Sequence, residues 1–187
     1  MEKQRCGWCV GDPLYEAYHD KEWGIPVKDD AILFEFLVLE TFQAGLSWIT
    51  ILKKRENFRT AFDNFQYAHI ANYKQPKIDA LLKDSGIVRN QLKIRATIGN
   101  AKAFLEIQKE YGSFSTYLWS FTENKSIKNN VIDYTEAPTT TAISDSLSKD
   151  LKKKGFKFVG STVMYAFMQA IGMVNDHEIT CFRYDEV

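Results

Sequence analysis

His177 and Cys181 stand four residues apart near one end of the chain, and Cys6 and His19 lie near the other. On a helix an i, i+4 pair faces one side. Two thiolates and two imidazoles complete a tetrahedral zinc set with no open position, so the chemistry they offer is structural. The alternative is that 3 Cys and 3 His are scattered over 187 residues. Cys9 adds a further reading, because Cys6-Gly7-Trp8-Cys9 is a C-x-x-C that can bind metal or do redox work. No βαβ pattern surrounds it, which weighs against a thioredoxin-like role.

A carboxylate and a group of aromatics make the second candidate. Leu33, Phe36, Leu37 and Glu40 fall at i, i+3, i+4, i+7, so Glu40 ends an apolar helix stripe. A buried carboxylate is costly unless a partner or ligand satisfies it; a glutamate at a helix end can equally reach solvent. Trp8, Tyr15, Tyr18 and Trp23, with Trp48 beyond, supply flat faces. Such a stripe is ordinarily core, yet Tyr and Trp keep a polar handle and stack well on heterocycles, which suits a base pocket.

The third candidate is KKKGFKFVGSTVMYAFMQAIG, residues 152–172. The pattern predicts a helix ending at Gly155, a tight connection over Phe156–Gly160, and a second helix from about Ser161. Small residues at such a turn expose backbone N–H groups at a helix N-terminus, where anions bind. Lys152, Lys153, Lys154 and Lys157 add positive charge. Four lysines alone are usually a solvated face; joined to the hairpin they become a candidate for DNA phosphates.

The elements that must position these residues read as helical almost throughout. Asp12-Pro13 opens a short helix through Trp23, and Asp29 or Asp30 starts another that Gly45 ends. Ser47 caps a third, followed by helices from about Pro76 to Ser85 and from about Asn90 to Tyr111. Ser113 caps FSTYLWSF, residues 122–143 form one long polar loop, and Ser144 caps DSLSKDLKKK. The fold class is therefore all-α, in one domain over 1–187 or in two packed helical lobes.

Composition limits the partners. Lys+Arg and Asp+Glu are both 24, so attraction to nucleic acid must come from a local patch and not from net charge. Apolar residues at 45% and charged ones at 26% are ordinary for a globular chain, and aromatics reach 14%. No apolar run is long enough for a signal peptide or a membrane span, and an odd number of cysteines speaks against a secreted disulfide framework. The expectation is a cytoplasmic protein without a membrane partner, and a monomer.

RCGW, DPLYEAYHDKEWG, FQAGLSWITILKKRENFR, SGIVRNQLKI with IGNAKA, and the block from Ser144 to His177 together resemble the bacterial 3-methyladenine DNA glycosylase I family, from about Cys6 to Cys181. The resemblance implies a helix-hairpin-helix DNA repair glycosylase, its hairpin unit at about 144–172, which excises N3-methyladenine from alkylated double-stranded DNA. It implies a structural zinc on Cys6, His19, His177 and Cys181, joining the two ends of the chain. It also implies a base pocket of Trp8, Tyr15, Tyr18, Trp23 and Trp48 with Glu40 as the catalytic, base-reading carboxylate. Phosphate contacts would come from Lys157, Gly160, Ser161 and Thr162, and Leu46 is the candidate wedge for the vacated stack. Asn175 occupies the position where many superfamily relatives carry a catalytic Asp, and Cys9 departs from the family pattern. Two other readings stand beside this one: a zinc-stapled nucleic-acid module without catalysis, and a zinc hydrolase.

Overall fold

Helices begin where the chain offers a side chain to the free amides of a first turn. Asp12 accepts from Leu14 and Tyr15 to start α1 (Pro13–Lys21), and Asp29 accepts from Ala31 and Ile32 to start α2 (Asp30–Gln43). The computed structural model describes residues 3–187. α3 (Trp48–Ala61) follows a short turn, and α4 (Tyr67–Ile70) and α5 (Gln75–Lys83) lead to α6 (Gln91–Tyr111), capped by Asn90. Ser113 caps α7 (Phe114–Trp119). Asp30, from the first turn of α2, also accepts the amides of Phe114 and Ser115, locking α7 to α2.

α2 is apolar nearly all round and accordingly lies at the centre, against α3, α6, α7 and α9 (Ser161–Ala170). α8 (Ala142–Lys153) turns Leu147 and Leu151 inward and its lysines outward, and packs closely on α9.

Several expectations are corrected. α1 ends at Lys21, two residues short of Trp23. Thr141, not Ser144, caps α8; Ser144 sits at the third helical position and returns the bond to the Thr141 amide, a capping box. Ser47 stands before α3, but its hydroxyl pairs with Thr50 Oγ1 and caps no amide. The fold is mostly helical and not purely so. β1 (Ile127–Lys128) pairs in parallel with β2 (Val174–Asn175), and a bridge joins Val131 to Glu178. A parallel pair needs a crossover, and α8–α9 is that crossover. The polar loop thus has one edge stitched to the C-terminal segment. At Gly172, φ is +71° and a Cβ would lie 2.4 Å from the Ile25 backbone, so glycine is required where this segment crosses the turn after α1.

Candidate functional site

A cavity of about 250 Å³ opens between α1, α2, the start of α3 and α9. Trp8, Tyr15, Tyr18, Trp23, Glu40 and Trp48 all line it. The rings form a cage of edge-on contacts around Trp8, with centroids 4.9 Å from Tyr15 and 5.0 Å from Trp23, and Tyr18 stands 5.4 Å from Trp48. Glu40 is 3% exposed, so it does not reach solvent. Its Oε2 is buried without a hydrogen-bond partner, and so is Nε1 of Trp48. Among the described residues only Arg183 Nε shares that condition. An orphan acceptor and an orphan donor thus belong to one aromatic cavity, where each is costly until a ligand meets it. Burial pushes the Glu40 carboxyl up to about 8.

Behind one wall of this cavity lies the Cys/His cluster. Trp23 stacks edge-on against His177 at 4.6 Å, and the His177 and His19 rings are 4.8 Å apart. The ligand atoms of Cys6, His19, His177 and Cys181 lie within 4.8 Å of one another, all buried. Cys6 Sγ is 3.6 Å from His177 Nδ1, and Cys181 Sγ is 3.4 Å from His19 Nε2 and 3.7 Å from His177 Nδ1. A tetrahedron with bonds of about 2.0–2.3 Å has edges of about 3.3–3.8 Å, which these three distances match, so the four residues could hold a metal ion. The outer atoms are held as metal-bound imidazoles require. His19 Nδ1 meets Asp20 at 2.9 Å, Asp20 is gripped by Arg5, and His177 Nε2 meets the Trp23 carbonyl at 3.2 Å. The amides of Glu178 and Arg183 donate to the two sulfurs. Cys6 and the two imidazoles hold the Cys181 thiol well down, while Cys181 pushes Cys6 up. Cys9 stands apart: its Sγ donates to the Cys6 carbonyl, and burial pushes it up to about 12. The 177–181 stretch is a turn after β2 and not a helix, so the i, i+4 spacing meets through a Cys181 amide bond to the Glu178 carbonyl.

Two exposed features flank the cavity's elements. Leu46 is 40% exposed on the turn after α2, which Gly45 makes with φ +83°. Gly160 is the N-cap of α9, with open space where a Cβ would stand, and Ser161 and Thr162 follow in its first turn. Lys157 in the connection and Lys152 and Lys153 at the end of α8 are exposed, whereas Lys154 is bound to Glu110 and lies over Tyr111.

The model of the methyladenine glycosylase family matches residues 8–184. The chain belongs to this family. It is 49% identical over 181 residues to DNA-3-methyladenine glycosylase 1 of Escherichia coli (strain K12), covering 97% of each chain. Its fold superposes on a crystal structure of 3-methyladenine DNA glycosylase I with a TM-score of 0.93 at 49% identity, over 96% of this chain and 98% of that one. A structure that describes 3-methyladenine recognition by the Staphylococcus aureus glycosylase I is similar at TM-score 0.92 and 38% identity, over 95% of each chain.

Within this family site, sequence reasoning missed six wall residues: Gln43, Tyr134, Ala137, Ala166, Gln169 and Asp176. Asp176 is the most informative. It is 3% exposed and accepts from Tyr165 Oη at 2.7 Å, Gln169 Nε2 at 2.7 Å and Asn129 Nδ2 at 2.6 Å. Its neighbour Asn175 does not line the cavity: the amide donates to the carbonyls of Tyr184 and Val187, and Oδ1 accepts from the His177 amide. Neighbouring residues of an extended segment point to opposite sides, so a one-residue step decides which side chain faces the pocket. Period-2 geometry was the signal, and it needed the β2 pairing to be known.

Proposed function

We propose that this chain is a DNA-3-methyladenine glycosylase, an enzyme that hydrolyses the N-glycosidic bond of N3-methyladenine in alkylated double-stranded DNA and releases the free base. Family membership over nearly the whole chain supports the reaction. The observation that carries the site is that two residues lining one aromatic cavity hold unpartnered polar atoms, Glu40 Oε2 and Trp48 Nε1. A purine with an exocyclic amine and ring nitrogens offers the donor and the acceptor that these two atoms lack.

A base inside a duplex is inaccessible, so the lesion must be flipped into the cavity, with Leu46 as the wedge that fills the gap. N3-methylation makes the adenine cationic; as the C1′–N9 bond breaks, its electron pair stays on the base, which departs neutral, while water adds to C1′ and loses a proton to solvent, so no strong general acid is needed. The faces of Trp8, Tyr15, Tyr18, Trp23 and Trp48 favour the cation. Glu40 gives up its proton to the water displaced from the cavity as the cation enters, because a nearby positive charge offsets the burial that holds the proton on. The carboxylate then accepts from the exocyclic amine and stabilises charge developing towards the sugar. Unmodified adenine has the amine but neither the positive charge nor the good leaving group.

The Cys6, His19, His177 and Cys181 set fits a structural zinc, which would supply a cross-link between the two ends and no chemistry at the base. Lys157 and the amides of Gly160, Ser161 and Thr162 would bind phosphate, with the hairpin unit at about 144–172 inside a single domain of 1–187. We place its work in the cytoplasm, as a monomer. No helix among the described residues is long and apolar enough to cross a membrane. Chromatography of bases released from methylated DNA tests the reading: 3-methyladenine must appear, and binding without release would favour a non-catalytic nucleic-acid module instead.

A further inference from the structure

α6 carries a buried polar stripe that the site above does not use. Lys93, Thr97 and Asn100 fall at i, i+4, i+7, and are 7%, 1% and 2% exposed. Lysine is rarely so buried without an acid to pair with. Here Nζ donates instead to two backbone carbonyls, Phe42 at 2.8 Å and Ala44 at 2.6 Å. These lie at the C-terminal end of α2, where carbonyls lack helical partners and a cation suits the dipole. Ala44 opens the turn that presents Leu46. Two helical turns further on, Asn100 grips the other loop: Nδ2 donates to the Lys157 carbonyl at 3.0 Å and Oδ1 accepts from the Lys157 amide at 2.8 Å. The next residue, Phe158, has φ +59°, a strained conformation for an aromatic, and its ring centroid lies 6.0 Å from Lys93 Nζ.

One rigid helix therefore holds the wedge turn with one side chain and the hairpin with another, about 10 Å apart along its axis. We propose that Lys93 and Asn100 are positioning residues that set the spacing between the Ala44–Leu46 turn and the Lys157–Gly160 hairpin, so that both engage the same stretch of duplex. This rests on the reading above in which those two loops touch DNA. The wedge must enter the stack while the hairpin holds the backbone, and an error of about 1 Å in such an arrangement can cost a hundredfold. A free base needs neither loop. Lys93 and Asn100 should therefore matter for duplex and not for free 3-methyladenine.

The test uses the full chain with Lys93→Met, which keeps the stem and loses the donors. Melting, tryptophan-fluorescence binding of 3-methyladenine, binding to a duplex with an abasic-site analogue, and single-turnover excision are measured together. Duplex binding and excision should fall about ten- to a hundredfold, with free-base affinity within about twofold. Leu46→Ala should also cost much less in the Lys93→Met background than in the wild type, because the wedge is already misplaced. A merely structural lysine would leave the cost of Leu46→Ala unchanged. That additivity, or equal losses for free base and duplex, would overturn the proposal. If Lys93→Met does not fold, Asn100→Ala combined with Gly160→Asp gives the same reading, and additivity there overturns it equally. Should Leu46→Ala and Gly160→Asp each leave duplex binding intact, the assignment of the DNA face is wrong, and this proposal falls with it.

Discussion

In the Cys/His cluster each side chain is held twice over. Each imidazole turns one nitrogen inward and fixes the other on Asp20 or the Trp23 carbonyl, and each sulfur accepts a backbone amide. In the cavity on the other side of Trp23, Glu40 and Trp48 leave polar atoms buried and unmet. The two regions share a wall, with Trp23 and His177 only 4.6 Å apart, yet they differ in what completes them. A saturated set closes on an ion and rigidifies; an unsatisfied pair keeps its interaction energy for a ligand that arrives later. The contrast teaches that an unmet polar atom points to a ligand only where a cavity can hold one: Glu40 and Trp48 line a cavity, whereas Arg183, whose Nε is equally unmet, does not.

The largest expected effect would break the structural half of this contrast. Cys181→Ser, or a chelator that removes the proposed metal, should lower the melting temperature by about 10–15 °C. Cross-linking nearly the whole chain is worth on the order of 4–5 kcal/mol by loop entropy. Turnover per folded molecule should change little. Unchanged stability with abolished single-turnover excision would reverse the roles of the two regions.

Glu40→Gln attacks the other half. It keeps the shape and replaces an acceptor with a donor, so excision should fall about ten- to a hundredfold, in line with a charge-assisted hydrogen bond of roughly 1.5–3 kcal/mol. The loss should stay partial, since the methylated base departs without a dedicated acid. The same variant sharpens the contrast through pH. Burial raises Glu40 from 4.5 to about 8, so the folded state holds this proton more tightly than the unfolded chain does between those values. The associated stability is fully present below about pH 4.5 and is lost as pH rises through about 8. Relative to wild type, Glu40→Gln should gain on the order of 2–4 kcal/mol from pH 5 to pH 9 in denaturant titrations. A flat difference between the two proteins would mean that Glu40 is solvated.

Gly160→Asp, with a carboxylate where a phosphate would sit, should weaken duplex binding about tenfold and leave free 3-methyladenine affinity intact. Equal losses in both would show the phosphate site to be misplaced. Asn175→Ala should cost about 1–2 kcal/mol of stability through its lost bonds to the tail, and less excision activity than Glu40→Gln. A dead Asn175→Ala enzyme with a near-normal Glu40→Gln enzyme would invert the pocket assignment. The smallest effect is expected from Cys9→Ala: metal content by atomic absorption should not change, because Cys9 bonds only to the Cys6 carbonyl.

Helix starts at Asp12, Asn90 and Ser113, and at one of Asp29 and Asp30, were legible from residue type alone, because a cap is a local bond between a side chain and amides two or three residues away. Glu40 at the end of an apolar stripe was legible for the same reason, but spacing left open whether it reaches solvent, and the packing around α2 buries it. That its Oε2 has no partner was not legible, since the absence is a property of everything packed around α2. The metal set was legible as four residue types at the two ends of the chain. The resemblance favoured Cys6 over Cys9, and the fold brings Cys6, not Cys9, together with His19, His177 and Cys181. That Asp176 lines the cavity while Asn175 bonds to the tail is decided where the Val174–Asn175 segment pairs with Ile127–Lys128. That pairing leaves no periodic trace in segments two residues long. The grip of α6 on two distant loops is likewise invisible in order along the chain. Local geometry is written in neighbouring residues, so the sequence by itself determined the helices, the aromatic and Cys/His inventory and the family. Which polar atoms are met, and by what, is decided between segments far apart in the chain, and only the tertiary structure brings those together.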